Sequence, residues 1–178
     1  MAQIVLERLR RRFGDSVREI HSELGNDTAV VERHRLIEIA EFLRDDRELL
    51  FDMPIDCTAV DWLGRRELRF DVVYHLYSTK RHHRLRLKVQ LGEADLTCPS
   101  LTAVWRGMDW HEREAWDLYG IRFVGHPNLK RILLYEAFVG HPLRKDYPID
   151  KRQPLMEMRR VAQVPTQKDP PAELLNRP

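Results

Sequence analysis

Proline divides this chain. Of ten prolines only Pro54 falls within the first 98 residues, and the other nine follow from Pro99 onward. Each proline removes a backbone donor and fixes φ, so regular structure belongs to the first part and extended or turned chain to the last. The sequence therefore predicts a folded domain over residues 1–120 and an extended, proline-rich segment over residues 121–178. A chain of 178 residues is long enough for one domain with a substantial buried core.

Within the first part, helical and strand periods alternate. The N-terminal MAQIVLERLRRRF is amphipathic and Arg-rich, a pattern shared with transit peptides. It carries Glu7 and lacks Ser before Gly14-Asp15, which favours a first helix burying Ile4, Val5 and Leu9. Thr28 to Val31 suits a strand. His34 to Asp45 puts Leu36, Ile37, Ala40 and Leu43 at helical spacing. Phe70 to Tyr77 is β-branched and aromatic. Next, Leu85, Leu87, Val89 and Leu91 alternate with Arg84, Arg86, Lys88 and Gln90, which predicts one buried and one basic face; Ser78 to His83 forms the hairpin loop. Ser100 is placed to cap a further helix running to Tyr119, with a break at Gly107, and Gly120 to end it as a C′ glycine. The fold class expected is α+β: a mainly antiparallel sheet covered by helices on one face, followed by a long extended C-terminal segment.

Charge and composition exclude several functions. The net charge of +2 gives no footprint for nucleic acid, and no apolar run reaches the roughly 18–20 residues that span a bilayer. Cys57 and Cys98 lie in unrelated segments and read as two unpaired thiols in a reducing compartment.

Several constellations invite a chemical reading, and each has a structural one beside it. His111-Glu112 begins like a zinc-protease helix, but the second His position is Ala115, and both ligands must share one helical face. His111, His126 and His141 are spaced by fifteen; three would suffice for zinc, yet His126 and His141 precede prolines, where Gly-His-Pro turns the chain without any metal. Glu112 and Glu114 diverge by about 200° around a helix, which argues against an acid/base pair. Arg113 and Asp117 are expected to pair at i,i+4, and the charged helix face to meet a partner or the preceding loop. The basic run Lys80, Arg81, His82, His83, Arg84, Arg86, Lys88 lacks interleaved aromatics for base stacking and reads as a solvated or partner-facing sheet face. No glycine-rich phosphate loop, CxxC pair or Ser-centred elbow occurs, so no catalytic, cofactor-binding or metal-binding residues are expected in this chain.

The run WHEREAWDLYGIRFVGHPNLKRIL from Trp110, followed by GHPLRKDYP from Gly140 to Pro148, resembles the signature of the 30 kDa subunit family of NADH-quinone oxidoreductase, respiratory complex I. Val60-Asp61-Trp62 and the stretch Phe70 to Ser78 also match that family's sheet region. The resemblance spans roughly Asn26 to Ile149. Phe138 stands where the family usually has Trp, and Arg106-Gly107-Met108 replaces its usual Pro- and Ala-rich stretch. The chain ends soon after the signature, so the fusion to the quinone-site subunit seen in some relatives is not expected.

The resemblance implies a subunit of the hydrophilic arm that carries no flavin, cluster or quinone ligand, while FMN and iron-sulfur clusters reside in partner subunits. Its implied partners are other complex I subunits, namely the quinone-site subunit and the iron-sulfur subunits beside it, with no nucleic acid and no direct membrane insertion. Its implied place is peripheral, on the cytoplasmic side of the bacterial inner membrane. The signature residues that fall to a partner interface are Glu112, Arg113, Glu114, Asp117, Gly120, Gly125, His126, Pro127, Arg131, Gly140, His141, Pro142, Arg144, Lys145, Asp146, Tyr147 and Pro148. From Lys151 to Pro178 six basic face three acidic side chains among five prolines; Leu155, Met156, Met158 and Val161 are its expected apolar anchors. Two rivals stay open: an equivalent brace in a membrane-bound hydrogenase or other quinone- or ferredoxin-linked complex, and a free-standing basic-face nucleic-acid-binding protein.

Overall fold

The computed structural model describes residues 3–155; the expected anchors Met156, Met158 and Val161 lie outside them. In chain order the elements are helix α1 (Gln3–Phe13), strands β1 (Val17–Glu23) and β2 (Asn26–Val31), helix α2 (Leu36–Asp45), strands β3 (Met53–Asp61), β4 (Phe70–Tyr77), β5 (Arg84–Leu91) and β6 (Thr97–Pro99), helix α3 (Met108–Tyr119) and strand β7 (Arg122–Val124). The main sheet has five strands in the order β1-β2-β5-β4-β3. Every pairing is antiparallel except β2 with β5. A small parallel pair, β6 with β7, stands apart.

The hydrophobic period places each strand. Leu85, Leu87, Val89 and Leu91 of β5 are buried in strict alternation, and the register sets them beside Leu76, Tyr74, Val72 and Phe70 of β4. Cys57 and Ala59 on β3 and Ala29 and Val31 on β2 continue this face. Val5, Leu6 and Leu9 of α1, Leu36, Ile39, Ala40 and Leu43 of α2, and Met108 and Ala115 of α3 close over it in one core. The fold is α+β, with its helices on a single face of a largely antiparallel sheet.

Several details differ from the periodic reading. Ile4 and Ile37 are exposed, while Leu6 and Ile39 take the inward positions. The rest of each inward stripe is as expected, with Val5 and Leu9 in α1 and Leu36, Ala40 and Leu43 in α2 buried. The stretch 101–107 forms turns rather than helix, and α3 begins at Met108. Strand β1 carries little alternation, and β3 alternates between buried and less buried positions only from Cys57 to Asp61. Both are sheet edges, buried on one face at most. The core also continues past residue 120, through Ile121 and Phe123.

The two cysteines are free and buried, and folding brings them to one neighbour. Tyr74 Oη lies 3.4 Å from Cys98 Sγ, and Tyr74 is the cross-strand partner of Cys57. In sequence they belong to unrelated segments; adjacent strands and the packing of β6 against the core bring them together. Burial pushes both thiols up, Cys98 to about 12, so they are protonated core side chains.

Candidate functional site

Helix α3 is amphipathic in an unusual sense, because two of its buried positions are acids. Glu112 and Asp117 are both fully buried, and each is anchored to a different piece of chain. Glu112 meets the preceding loop: Ser100 Oγ donates to Oε2 at 2.6 Å and Leu101 N donates to Oε1 at 2.6 Å. This contact holds the turn at 100–102, whose Thr102 N also donates to Ser100 Oγ. Burial pushes the Glu112 carboxyl up to about 7, against the two hydrogen bonds that favour its charged form.

A raised carboxyl has a definite consequence for stability. Its contribution is complete below the usual carboxylate value near 4.5 and is lost as pH rises through about 7, a span equivalent to roughly 3 kcal/mol. Glu112→Gln, which can accept from Leu101 N and donate to Ser100 Oγ, should therefore flatten the fall in stability between pH 5 and 8. Urea melts at pH 5.5 and 8.5 check this; parallel pH dependence in both proteins would refute it.

Asp117 works as a buried anion in a cradle of donors. The N–H groups of Ile132, Leu133 and Leu134 all donate to Oδ2, at 3.1, 2.9 and 2.9 Å, and Arg131 Nη1 donates to Oδ1 at 2.5 Å. Arg131 then reaches with Nη2 to the carbonyls of Phe138 and Gly140 at 2.9 and 3.2 Å. The i,i+4 pair of Arg113 with Asp117 does not form. Asp117 points inward to the cradle, while Arg113 sits 3.9 Å from Asp109 and donates to the carbonyls of Lys130 and Arg131. Glu114 is exposed.

The two Gly-His-Pro corners dock on opposite ends of α3. His126 Nδ1 accepts from Asn128 N at 3.0 Å, so Nε2 carries the hydrogen to the Asp109 carbonyl at 3.1 Å. His141 Nδ1 donates to the Asp117 carbonyl at 2.9 Å. The fifteen-residue echo is thus two clamps on a twelve-residue helix. His111 stands apart, 3.8 Å from Asp56, and the described residues contain no cluster of three metal-ligating side chains.

Glycine is required at two turns that receive a ring, the end of α3 and the start of the second corner. Gly120 ends α3 with φ of 80°, and a Cβ there would lie 2.7 Å from the His141 ring. Gly140 has φ of 101°, and a Cβ would lie 2.9 Å from Tyr147. Tyr147 stacks on Phe138, their ring centres 6.1 Å apart. Gly125 turns the chain ahead of His126 with φ of 87°, and Pro127, Pro142 and Pro148 lie in the turns that follow.

The Arg144-Lys145-Asp146 stretch reads from its residues as a stiff docking strip, but it is bound to its own domain. Arg69 is buried to 3 % exposure. It grips Asp61 in a two-pronged pair, both bonds 2.8 Å, and reaches Glu93 at 2.7 Å and Asp146 at 2.8 Å. Lys145 N donates to Asp61 Oδ2 at 2.8 Å. The Arg144 guanidinium lies over Phe70, 5.4 Å from the ring centre, with Glu93 and Asp146 each at 3.4 Å. Reversing the charges of Arg144 and Lys145 would therefore strike the fold as well as any partner. Asp61, Arg69 and Glu93 are not among the candidates read from sequence, and no local pattern marks them: Arg69 and Asp146 are 77 residues apart.

Apolar side chains nevertheless face outward along the same stretch: Leu133, Val139, Leu143, Ile149 and Leu155 are all at least half-exposed or close to it.

The family described as respiratory-chain NADH dehydrogenase, 30 Kd subunit, matches residues 29–153. A subunit of the Geobacter sulfurreducens NADH-quinone oxidoreductase is 42% identical over 142 residues, covering 80% of this chain and 86% of that protein. Its counterpart from Roseiflexus sp. is 47% identical over 145 residues, covering 82% and 83%. Among solved structures, a trypsin-resistant fragment of Nqo5 superposes with a TM-score of 0.60 at 32% identity, covering 71% of this chain and 98% of the fragment. A chain of a membrane-bound sulfane sulfur reductase, an archaeal respiratory membrane complex, shares the fold with a TM-score of 0.67 at 19% identity, over 83% and 85% of the two chains. With the matched region containing the whole run from Trp110 to Asp150, this chain belongs to the respiratory-chain NADH dehydrogenase 30 Kd subunit family.

Proposed function

We propose that this chain is a structural subunit of the hydrophilic arm of proton-translocating NADH:quinone oxidoreductase. In this reading it carries no redox group of its own and braces subunits that do the chemistry, namely the quinone-site subunit and the iron-sulfur subunits beside it. FMN and the clusters sit in partner subunits. The arm is held peripherally on the cytoplasmic side of the bacterial inner membrane; no helix among the described residues is long and apolar enough to cross a membrane.

The observation that carries the reading is the construction of the signature surface. Most of its charged residues are consumed by internal clamps through Asp117, Arg131 and Arg69, with Glu114 and Lys145 left exposed, while Leu133, Val139 and Leu143 are turned outward, 49–60 % exposed. A rigid base with apolar side chains on its outer side is the anatomy of a surface that a partner buries. Electron transfer between fixed redox centres needs constant distances, and a brace locked by its own ion pairs supplies them without chemistry of its own. The segment expected from residue 121 onward to wrap partners is then the part beyond strand β7, since Ile121 and Phe123 belong to the core.

The test is Leu133→Asp, Val139→Asp and Leu143→Asp together, in the organism's own complex. Exposed substitutions should leave the melting curve of the isolated chain within about 0.5 kcal/mol. Assembled complex on native gels and NADH:quinone reductase activity of membranes should fall at least tenfold. Normal assembly with the triple variant would overturn the reading. Co-purification of flavin- and cluster-bearing subunits with a tagged chain separates this assignment from a hydrogen- or ferredoxin-linked relative.

A further inference from the structure

The sheet face turned away from the helices carries chemistry that the bracing role leaves unused. β5 sets Arg84, Arg86 and Lys88 along this face. The register places Tyr77, His75 and Val73 beside them on β4, and Thr28 and Val30 beside Arg86 and Lys88 on β2. Lys88 has an acid partner, Asp71, at 3.8 Å. Among the described residues Arg84 and Arg86 have no carboxylate within the 4.0 Å of an ion pair; Arg84 instead lies 5.3 Å from the centre of the Tyr77 ring. Same-face positions two apart on a strand are separated by roughly 6.6 Å, a spacing that two arginine side chains can span to reach one anion.

They do not stand on a flat surface. Arg84, Arg86, His75 and Asn26 border a depression of about 100 Å³ at this end of the sheet. That is room for several waters, or for one small ion with its donors around it. Asp27 also borders it. Its Oδ1 is engaged by Ser22 Oγ at 2.6 Å, while its buried Oδ2 has no hydrogen-bond partner among the described residues, so the anion that fits is one carrying an O–H, as hydrogen phosphate does, to donate to that oxygen. Paired guanidinium forks match the geometry of a tetrahedral oxyanion. We propose that this depression is a binding site for a phosphate-type oxyanion, held by Arg84 and Arg86 with His75 and Asn26 as further donors.

His75 reports on the site. Burial lowers its pKa first, Arg86 and Lys88 lower it further, and Asp56 opposes them. The imidazole therefore sits in a field that is net cationic at this point. A bound dianion would reverse that field and raise the His75 pKa.

Calorimetric titration of the full chain with inorganic phosphate at pH 7, at ionic strength held constant with chloride, tests the proposal. His75 imidazole resonances, assigned with His75→Gln, are followed in parallel. Saturable binding is expected, with an upward movement of the His75 titration, and the affinity should drop at least tenfold in Arg84→Gln/Arg86→Gln. Unchanged circular dichroism and melting of that variant verify its fold. Sedimentation with phosphatidylglycerol vesicles, but not phosphatidylcholine vesicles, would assign the oxyanion to a lipid headgroup; phosphate binding without vesicle binding would assign it to a soluble phosphate. A response to phosphate no larger than to chloride, or one equal in wild type and double variant, overturns the site.

Discussion

Arg69→Met should destabilise the folded chain by about 3–5 kcal/mol, the range for removing one partner of a buried ion pair. The substitution fills the space of the arginine stem but leaves the Asp61 carboxylate, at 3 % exposure, with no cation. Most of the effect belongs to this two-pronged pair, because Glu93 and Asp146 are about half-exposed and such pairs contribute little. Arg69 and the N–H groups of Lys145 and Leu63 hold the Asp61 carboxyl down at about 2, against burial. For a depressed carboxyl the stabilisation is present above the usual value near 3.8 and is lost as pH falls toward 2, here about 2 kcal/mol. Wild type should therefore weaken between pH 4 and 2 by an amount that Arg69→Met does not show. The variant should also free the strip at 144–146, so trypsin should cut after Arg144 and Lys145 sooner than in wild type. Equal urea midpoints for the two proteins at pH 7 would dispose of the clamp.

Asp117→Ala should cost about 3–5 kcal/mol, since it strands the partly buried Arg131 guanidinium and removes the shared, fully buried acceptor of three N–H groups. Burial pushes the Asp117 carboxyl up, but the donors from Leu134, Arg131, Leu133 and Ile132 together outweigh it and hold the group below the usual range. Asp117→Asn keeps an acceptor oxygen and the shape of the site, so it should fall between alanine and wild type. The effect should also be local. Amide exchange at Ile132, Leu133 and Leu134 should accelerate far more than at Val72 or Leu87 in the sheet centre, because Arg131 ties this loop to the carbonyls of Phe138 and Gly140. Uniform acceleration across the domain, or none at those three amides, would show that the cradle does not organise the loop.

What can be read from the residues follows from the range of the forces involved. Alternation in β5, the β-branched run of β4 and the glycine closing α3 are local signals, and each lands on the residues expected. So does the single-sided helical layer, because the basic positions of β5 leave only one face to cover. Strand β1, with its sequence VREIHSE, is an edge whose outward and inward positions are nearly equally polar, so no period marks it. Strand β3 hides behind Pro54 and a shift in register between Pro54 and Asp56.

The clamps are less legible than the strands. Glu112, Asp117, His126 and His141 stand out as an unusual concentration of polar residues, but apart from Ser100 and Arg131 their partners are carbonyls and N–H groups, which every residue but proline possesses in full. Nothing in the local sequence says that Asp117 will collect amides at 132–134 rather than Arg113 four residues before it. The Arg69 knot joins one acid eight residues away to two from more distant segments, and one arginine among thirty basic side chains carries no mark of being buried.

The single parallel seam in the sheet bears on how the chain assembles during synthesis. In the sheet, β1-β2 and β3-β4-β5 are each built from neighbours in sequence, and β2 against β5 is the one joint between them. The first pair is complete when Val31 leaves the ribosome, but its partner strand ends only at Leu91. At about 5–20 residues per second, that interval lasts several seconds. Throughout it β2 exposes an unpaired edge bearing Ala29, Val30 and Val31, side chains that are buried in the finished sheet, and such edges recruit whatever strand is nearest. The pace of translation and the shielding of this one nascent edge are therefore expected to bear on the yield of folded chain.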